Sequence, residues 1–197
     1  MTAPAAREYP HLVIATGRNV QIRRKVTGDA EDDFRWRSDP ENARFDGEAP
    51  MRQTFAQFLQ QLEADLAFGQ PEKELFAILD TKGAHIGNVM YYNAGATRAE
   101  AELGISIGVE ALRSAGLGTE ATIVFLRHLW WNYPFRRIYL HTLAWNERAI
   151  RCFRSAGFDE VARGLVAGEL MVRMEARREW WLLWDAEGRF AGEMQGQ

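Results

Sequence analysis

Residues 101–121 read AELGISIGVEALRSAGLGTEA, and this stretch constrains the fold more than any other. Ala101, Leu103, Ile105, Ile107 and Val109 alternate with Glu102, Gly104, Ser106 and Gly108. Such alternation predicts a strand, apolar on one face and small or polar on the other. A strand so lean on its second face lets another group approach its backbone. Gly116 and Gly118 come next, and inside a helix each costs about 1 kcal/mol relative to alanine. Leu117, Ala121, Val124, Phe125 and Leu129 then fall along one side of a helix. Strand, glycine-rich turn and helix in this order point to an α/β architecture. They also build an anion site, because the first N–H groups of a helix lack partners and lie at the positive end of its dipole.

The same periodicities place the other elements. Val20–Val26 predicts a strand, and Asp29–Arg37 a short helix stopped at Ser38-Asp39-Pro40. Phe55, Phe58, Leu59, Leu62 and Leu66 form the stripe of a helix opened by Thr54 with Gln57 and closed by Gly69. Residues 74–80 and 84–93 read as a hairpin turning at Thr81-Lys82-Gly83. Arg137–Leu143 predicts another strand, Asn146 opens a helix that ends at Gly157, and residues 158–177 form a hairpin turning at Ala167-Gly168. Residues 1–18 read as a loose lead-in, 19–190 as one domain, and 191–197 as a disordered tail.

The 197 residues, 47 % of them apolar, suffice for one full core. A net charge of −3 gives no electrostatic basis for a nucleic-acid partner. The local run Arg23-Arg24-Lys25 is expected on a solvated strand face. A single cysteine, Cys152, rules out an intramolecular disulfide and fits a reducing compartment. No run has the length of a signal peptide, and none approaches the ~20 apolar residues of a membrane helix. The expectation is a cytoplasmic protein without a membrane partner or a metal, monomeric or homodimeric.

The candidate anion loop is not the dinucleotide fingerprint. Ala121 stands where the third glycine belongs, and RIYLHTL (137–143) ends without the expected acid. The P-loop pattern is absent as well. Taken alone, the loop is either a phosphate cradle or a turn before a helix. A second motif changes this. Arg113-x-x-Gly116-x-Gly118 resembles the acyl-CoA pyrophosphate loop of the Gcn5-related N-acetyltransferases (GNAT superfamily). Downstream, Asn146, Ala149, Phe153 and Gly157-Phe158 resemble that family's second signature, separated from the first by one helix and one strand. Residues 22–45 look like the bacterial ribosomal-protein N-terminal acetyltransferase branch, through Trp36-Arg37-Ser38-Asp39-Pro40. The likeness covers roughly residues 20–175 and leaves the tryptophan-rich stretch 180–190 outside.

The resemblance implies a GNAT fold, an α/β domain whose mixed, mostly antiparallel sheet is flanked by helices and splayed at the acyl-CoA site. It implies transfer of acetyl from acetyl-CoA to a primary amine by direct attack in a ternary complex. The amides of Ser114, Ala115, Gly116, Leu117, Gly118 and Thr119 would wrap the pyrophosphate, with Arg113 as a cationic clamp. The backbone of Ile107, Gly108 and Val109 would pair with the pantetheine arm, and a strand N–H would polarise the thioester carbonyl. Asn146 would bond the cofactor arm, cap its helix, or both. Glu102 and His141 are the alternative general bases, with Glu100 a third. Trp36 and Asp39 are the acceptor-side candidates. The acceptor is a protein N-terminus, an amino-sugar antibiotic, a polyamine or a free amino acid. Many relatives carry a tyrosine acid where Phe153 stands. That departure keeps a second reading open, a GNAT-fold sensor or scaffold that binds acyl-CoA without turnover.

Overall fold

The computed structural model describes residues 12–95 and 99–193. Its eight strands are β1 (Val13–Thr16), β2 (Val20–Arg24), β3 (Glu74–Asp80), β4 (His85–Tyr92), β5 (Glu100–Ile107), β6 (Arg137–Leu143), β7 (Asp159–Val166) and β8 (Glu169–Arg177). They form one sheet in the order β1-β2-β3-β4-β5-β6-β8-β7. Every neighbouring pair is antiparallel except β5 and β6. The helices are α1 (Ala30–Ser38), α2 (Pro40–Asp46), α3 (Phe55–Phe68), α4 (Leu117–Asn132), α5 (Glu147–Ser155) and α6 (Arg178–Ala186). None of them is long and apolar enough to cross a membrane. Among the described residues no cluster of His, Cys, Asp and Glu could hold a metal ion.

The apolar face of β5 meets α4. Ala101 and Leu103 pack with Phe125, Leu126, Leu129 and Trp130 of that helix and with Phe76, Val89, Ile138 and Val172 of the neighbouring strands. Each large side chain so buried contributes about 1.5–3 kcal/mol. Half of the tryptophan-rich end joins this core. Trp181 is fully buried, stacks on Phe190 at 4.7 Å and donates its Nε1–H to the Ala156 carbonyl at 2.8 Å.

Two expectations need correction. Residues 13–16 are not a lead-in but strand β1, paired with β2. The turn between them is held by a buried carboxylate. Glu120 Oε1 accepts from the backbone N–H groups of Asn19 (2.5 Å) and Val20 (3.2 Å), and Oε2 from Asn19 Nδ2 (2.9 Å). A carboxylate is tolerated in a core when so bonded. The remainder of the expected lead-in, residues 1–11, lies outside the described residues, as do 194–197, while Ala191–Glu193 forms a 3-10 turn.

The second correction concerns Arg23-Arg24-Lys25. Only Arg24 is solvated; Arg23 and Lys25 are buried. Strand alternation sends Val20 and Ile22 to the α4 side and Arg23 and Lys25 to the other, where α1 covers them. Arg23 donates to both oxygens of Asp29, at 2.8 and 2.6 Å. Lys25 Nζ meets Asp33 at 2.6 Å and Asn88 at 2.7 Å, and His85 Nε2 lies 3.1 Å from the Asn88 oxygen. Burial alone would raise the Asp29 carboxyl, but the Arg23 hydrogen bonds and the Lys25, His85 and Arg23 charges prevail and hold it at about 2, against 3.8 unperturbed. A depressed carboxyl stabilises the fold above its unfolded pKa and ceases to do so as pH falls through its folded one. Urea midpoints are therefore expected to drop between pH 4 and pH 2, with about 2 kcal/mol from this group, and that share of the drop should vanish in Asp29→Asn.

Candidate active site

The parallel pair at the centre of the sheet comes apart. β5 and β6 are in register only at Glu100–Arg137, Ala101–Ile138 and Glu102–Tyr139. Beyond that, β5 continues along β4 to Ile107 while β6 continues along β8 to Leu143. The Gly108 N–H donates to the Ile86 carbonyl at 3.0 Å, on the β4 side. Antiparallel alternation then turns the N–H and C=O of Ile105 and Ile107 the other way, into the split. An unpaired strand edge facing an opening can take one more extended chain. Gly108 is not part of that edge. Asn42 Nδ2 approaches its carbonyl at 3.5 Å, and a Cβ on it would overlap the Trp36 indole, so glycine is required there by packing. The Val109 carbonyl closes a turn by accepting from Leu112 at 3.1 Å.

The glycine-rich loop sits at the mouth of this split. Ser114 (φ 64°) and Gly116 (φ 83°) take left-handed conformations that lead into α4. Among the described residues nothing accepts from the backbone N–H groups of Ser114 through Thr119. Among the described residues nothing lies within 4 Å of the space a Cβ would fill at Gly116. Six free donors at the N-terminus of a sixteen-residue helix suit a pyrophosphate. Arg113, the expected clamp, is turned away from the loop. Its guanidinium turns to α2, bonding Glu41 Oε1 (2.9 Å) and Asn42 Oδ1 and lying over the Phe45 ring. Asn146 is the N-cap of α5, its Oδ1 accepting from Ala149 N at 3.2 Å, and among the described residues nothing accepts from its Nδ2. Gly118 abuts α5, since a Cβ on it would stand 3.6 Å from Cys152 Sγ. Burial pushes the Cys152 thiol up, away from thiolate chemistry.

The polar face of the split carries an acid–base pair. Glu102 is buried, and its Oε1 lies 2.8 Å from His141 Nδ1 while its Oε2 accepts from Asn93 Nδ2 at 2.9 Å. A carboxylate oxygen accepts, so Nδ1 carries the hydrogen, and in the neutral imidazole Nε2 is the nitrogen with the lone pair. The His141 side chain is 32 % exposed, enough to meet a ligand in the opening. Burial and the adjacent Glu102 carboxylate push the Tyr92 hydroxyl up. Glu100, the third candidate base, is instead engaged by Arg137.

A sequence model of the GNAT acetyltransferase domain matches residues 19–159, most of the chain. The chain belongs to the GNAT acetyltransferase family. Its fold is similar to that of spermidine N-acetyltransferase from Vibrio cholerae, solved with CoA and spermine (18 % identity, TM-score 0.74, 83 % of this chain and 98 % of that one). It is also similar to an aminoglycoside acetyltransferase solved with coenzyme A (19 %, 0.70, 83 % and 98 %). A third similar structure is an uncharacterised protein from Bacillus halodurans (11 %, 0.73, 91 % and 98 %). No curated protein matches the chain by sequence.

Within this GNAT domain the two acceptor-side candidates have structural duties. Trp36 is buried between Gly108 and His85, its ring 4.7 Å from the imidazole. Asp39 caps α2, its Oδ1 accepting from Glu41 N at 2.9 Å and Asn42 N at 2.8 Å. The Ser38-Asp39-Pro40 stop thus ends one helix and starts another, α2, which sequence reasoning missed. Asn93, Tyr92 and Tyr139, around the Glu102–His141 pair, were missed too. The signal for the tyrosines was present, since each is the cross-strand partner of Glu102, but only the strand order makes it readable, and Asn93 lies in the turn just past β4. Two concavities lie outside the split, one beside Trp180 and Trp184 and one beside Met51 and Gln61.

Proposed function

We propose that this GNAT domain transfers the acetyl group of acetyl-CoA directly to a primary amine. The reading rests above all on the Glu102–His141 pair on the wall of the split, in line with an unpaired strand edge and a loop of free amides. The Ser114–Thr119 amides would hold the pyrophosphate, and the Ile105 and Ile107 edge the pantetheine arm. Acetyl-CoA, when bound, supplies an activated acyl carbonyl. A β5 N–H facing the split would polarise that carbonyl, more strongly for being fixed in place beforehand. An alkylamine of pKa near 10.4 is only ~0.1 % neutral at pH 7. His141 Nε2 would take its proton as the nitrogen attacks, and Glu102 would stabilise the imidazolium through Nδ1. The C–N bond forms as the C–S bond breaks. Phe153 has no proton to lend the sulfur, and a thiol of pKa near 8.5 departs as thiolate without one.

The acceptor class follows from two supports of different kinds. The named structural neighbours are spermidine and aminoglycoside acetyltransferases. The Trp36–Pro40 element resembles the branch that modifies protein N-termini. Both describe a primary amine. Calorimetric titration with acetyl-CoA, with ATP and NAD as controls, tests the cofactor. Release of CoA in the presence of a polyamine, an aminoglycoside or a peptide N-terminus then tests transfer. Binding of acetyl-CoA without release by any amine would favour the sensor or scaffold reading, and no binding would overturn both. Gly116→Val forces a β-branched residue into φ 83° and narrows the cradle. It is expected to weaken acetyl-CoA at least about tenfold, the worth of one charged hydrogen bond, with the far-UV spectrum unchanged. Unaltered affinity in that variant would place the pyrophosphate elsewhere.

A further inference from the structure

Four side chains bridge the mouth of the split from opposite sides. Phe45 of α2 packs on Trp145, in the turn before α5, with ring centroids 5.6 Å apart. Arg148, in the first turn of α5, lies over Phe45 at 4.5 Å, and Arg44 over Trp145 at 4.9 Å. Arg113 also lies over Phe45 but is committed to Glu41 and Asn42. Arg44 and Arg148 differ in this respect. Among the described residues no carboxylate pairs with either, whereas most of the described arginines have one. In a chain of net charge −3, two neighbouring uncompensated cations are a pointed local excess. A guanidinium over a ring still has N–H donors to offer in the fork geometry that phosphate oxygens accept.

Their place in the fold says what they face. Arg148 follows Asn146 by two residues and precedes Cys152 by one helical turn, and Cys152 abuts Gly118 in the first turn of α4. The cation therefore stands beside the row of free amides but on the opposite wall. The amides already provide for a pyrophosphate, so the arginines are left for a further phosphate. We propose that Arg148, with Arg44, binds the ribose 3′-phosphate of coenzyme A, a monoester carrying roughly two negative charges. This rests on the acetyl-CoA reading of the split and adds to it the part of the cofactor that the loop does not engage.

The probes are acetyl-CoA and its 3′-dephospho form, titrated calorimetrically into the full chain and into Arg148→Gln, Arg148→Lys and Arg44→Gln. The native chain is expected to bind acetyl-CoA at least about tenfold more tightly than the dephospho form, as for a charged hydrogen-bonded contact. Arg148→Gln should reduce that ratio to about threefold or less by weakening acetyl-CoA alone. Arg148→Lys should restore part of it, and Arg44→Gln should lower it by a smaller factor. A loss of Phe45 packing would weaken both ligands equally. An unchanged ratio in Arg148→Gln, or a native ratio near one, overturns the proposal while acetyl-CoA binding stands. Failure of the native chain to bind either probe overturns the acetyl-CoA reading and this proposal with it.

Discussion

Glu102→Gln is expected to lower kcat by about 10²–10⁴-fold, the usual worth of the general base that it holds, His141, with the affinity for acetyl-CoA unchanged. His141→Ala should fall in the same range, and the double variant should be no slower than the worse of the two. The reason is that the pair works as one unit, so its losses do not add. Glu102 Oε1 holds His141 Nδ1 at 2.8 Å. Removing the charge frees the imidazole to choose the other tautomer, and removing the imidazole leaves a buried carboxylate with no path to the amine. Asn93, which holds the other Glu102 oxygen, should matter less, since it fixes a rotamer and moves no proton. Steady-state kinetics together with calorimetry read both quantities. Full kcat in Glu102→Gln would remove the pair from the chemistry. A parallel loss of cofactor affinity would make Glu102 a packing residue of β5.

The largest stability effect is expected at Asp29. Asp29→Ala should cost about 3–5 kcal/mol, because it leaves the Arg23 guanidinium charged and unpaired in the interior. Both side chains of that pair are fully inaccessible. Replacing both partners by apolar residues of similar size, Arg23→Met with Asp29→Leu, should recover most of the loss. Urea unfolding measures both variants. A loss below about 1 kcal/mol in Asp29→Ala would mean that water reaches the pair. The network also has a bearing on the cleft. His85 belongs to it and supports Trp36, and Trp36 rests on Gly108 at the end of β5. The charged cluster beneath α1 is thereby in contact, through Trp36, with the end of the strand that borders the split.

Much of the fold is local in origin. The alternation from Ala101 to Val109, the stripe from Phe55 to Leu66 and the turn at Ala167-Gly168 each rest on neighbours within a few residues, and β5, α3 and the β7–β8 hairpin form where those patterns lie. The glycine-rich loop is legible for the same reason, since a positive φ at Gly116 and a helix start at Leu117 are short-range matters. The motif pair that resembles the GNAT family adds the splay, which the three-residue register of β5 with β6 displays.

The direction and company of side chains are another matter. Three consecutive cations at 23–25 say nothing about what will cover them, and Arg23 is buried because α1 brings Asp29 to it. Arg113 stands at the right place in the loop motif, yet α2, a helix hidden behind a proline stop, offers its guanidinium a carboxylate and an aromatic face. Trp36 and Asp39 are conspicuous in the sequence and are used for packing and capping. Glu102 and His141 were separate candidates, 39 positions apart. Only the parallel pairing of β5 with β6 brings them to hydrogen-bonding distance. The sequence alone determined where most strands and helices and the glycine-rich loop lie, β1 and α2 excepted, because these depend on periodicity and on the conformational range of single residues. Tertiary structure decided which candidates lie together, because a charge or a lone pair acquires its chemistry from groups that the sheet order, and no short-range pattern, places beside it.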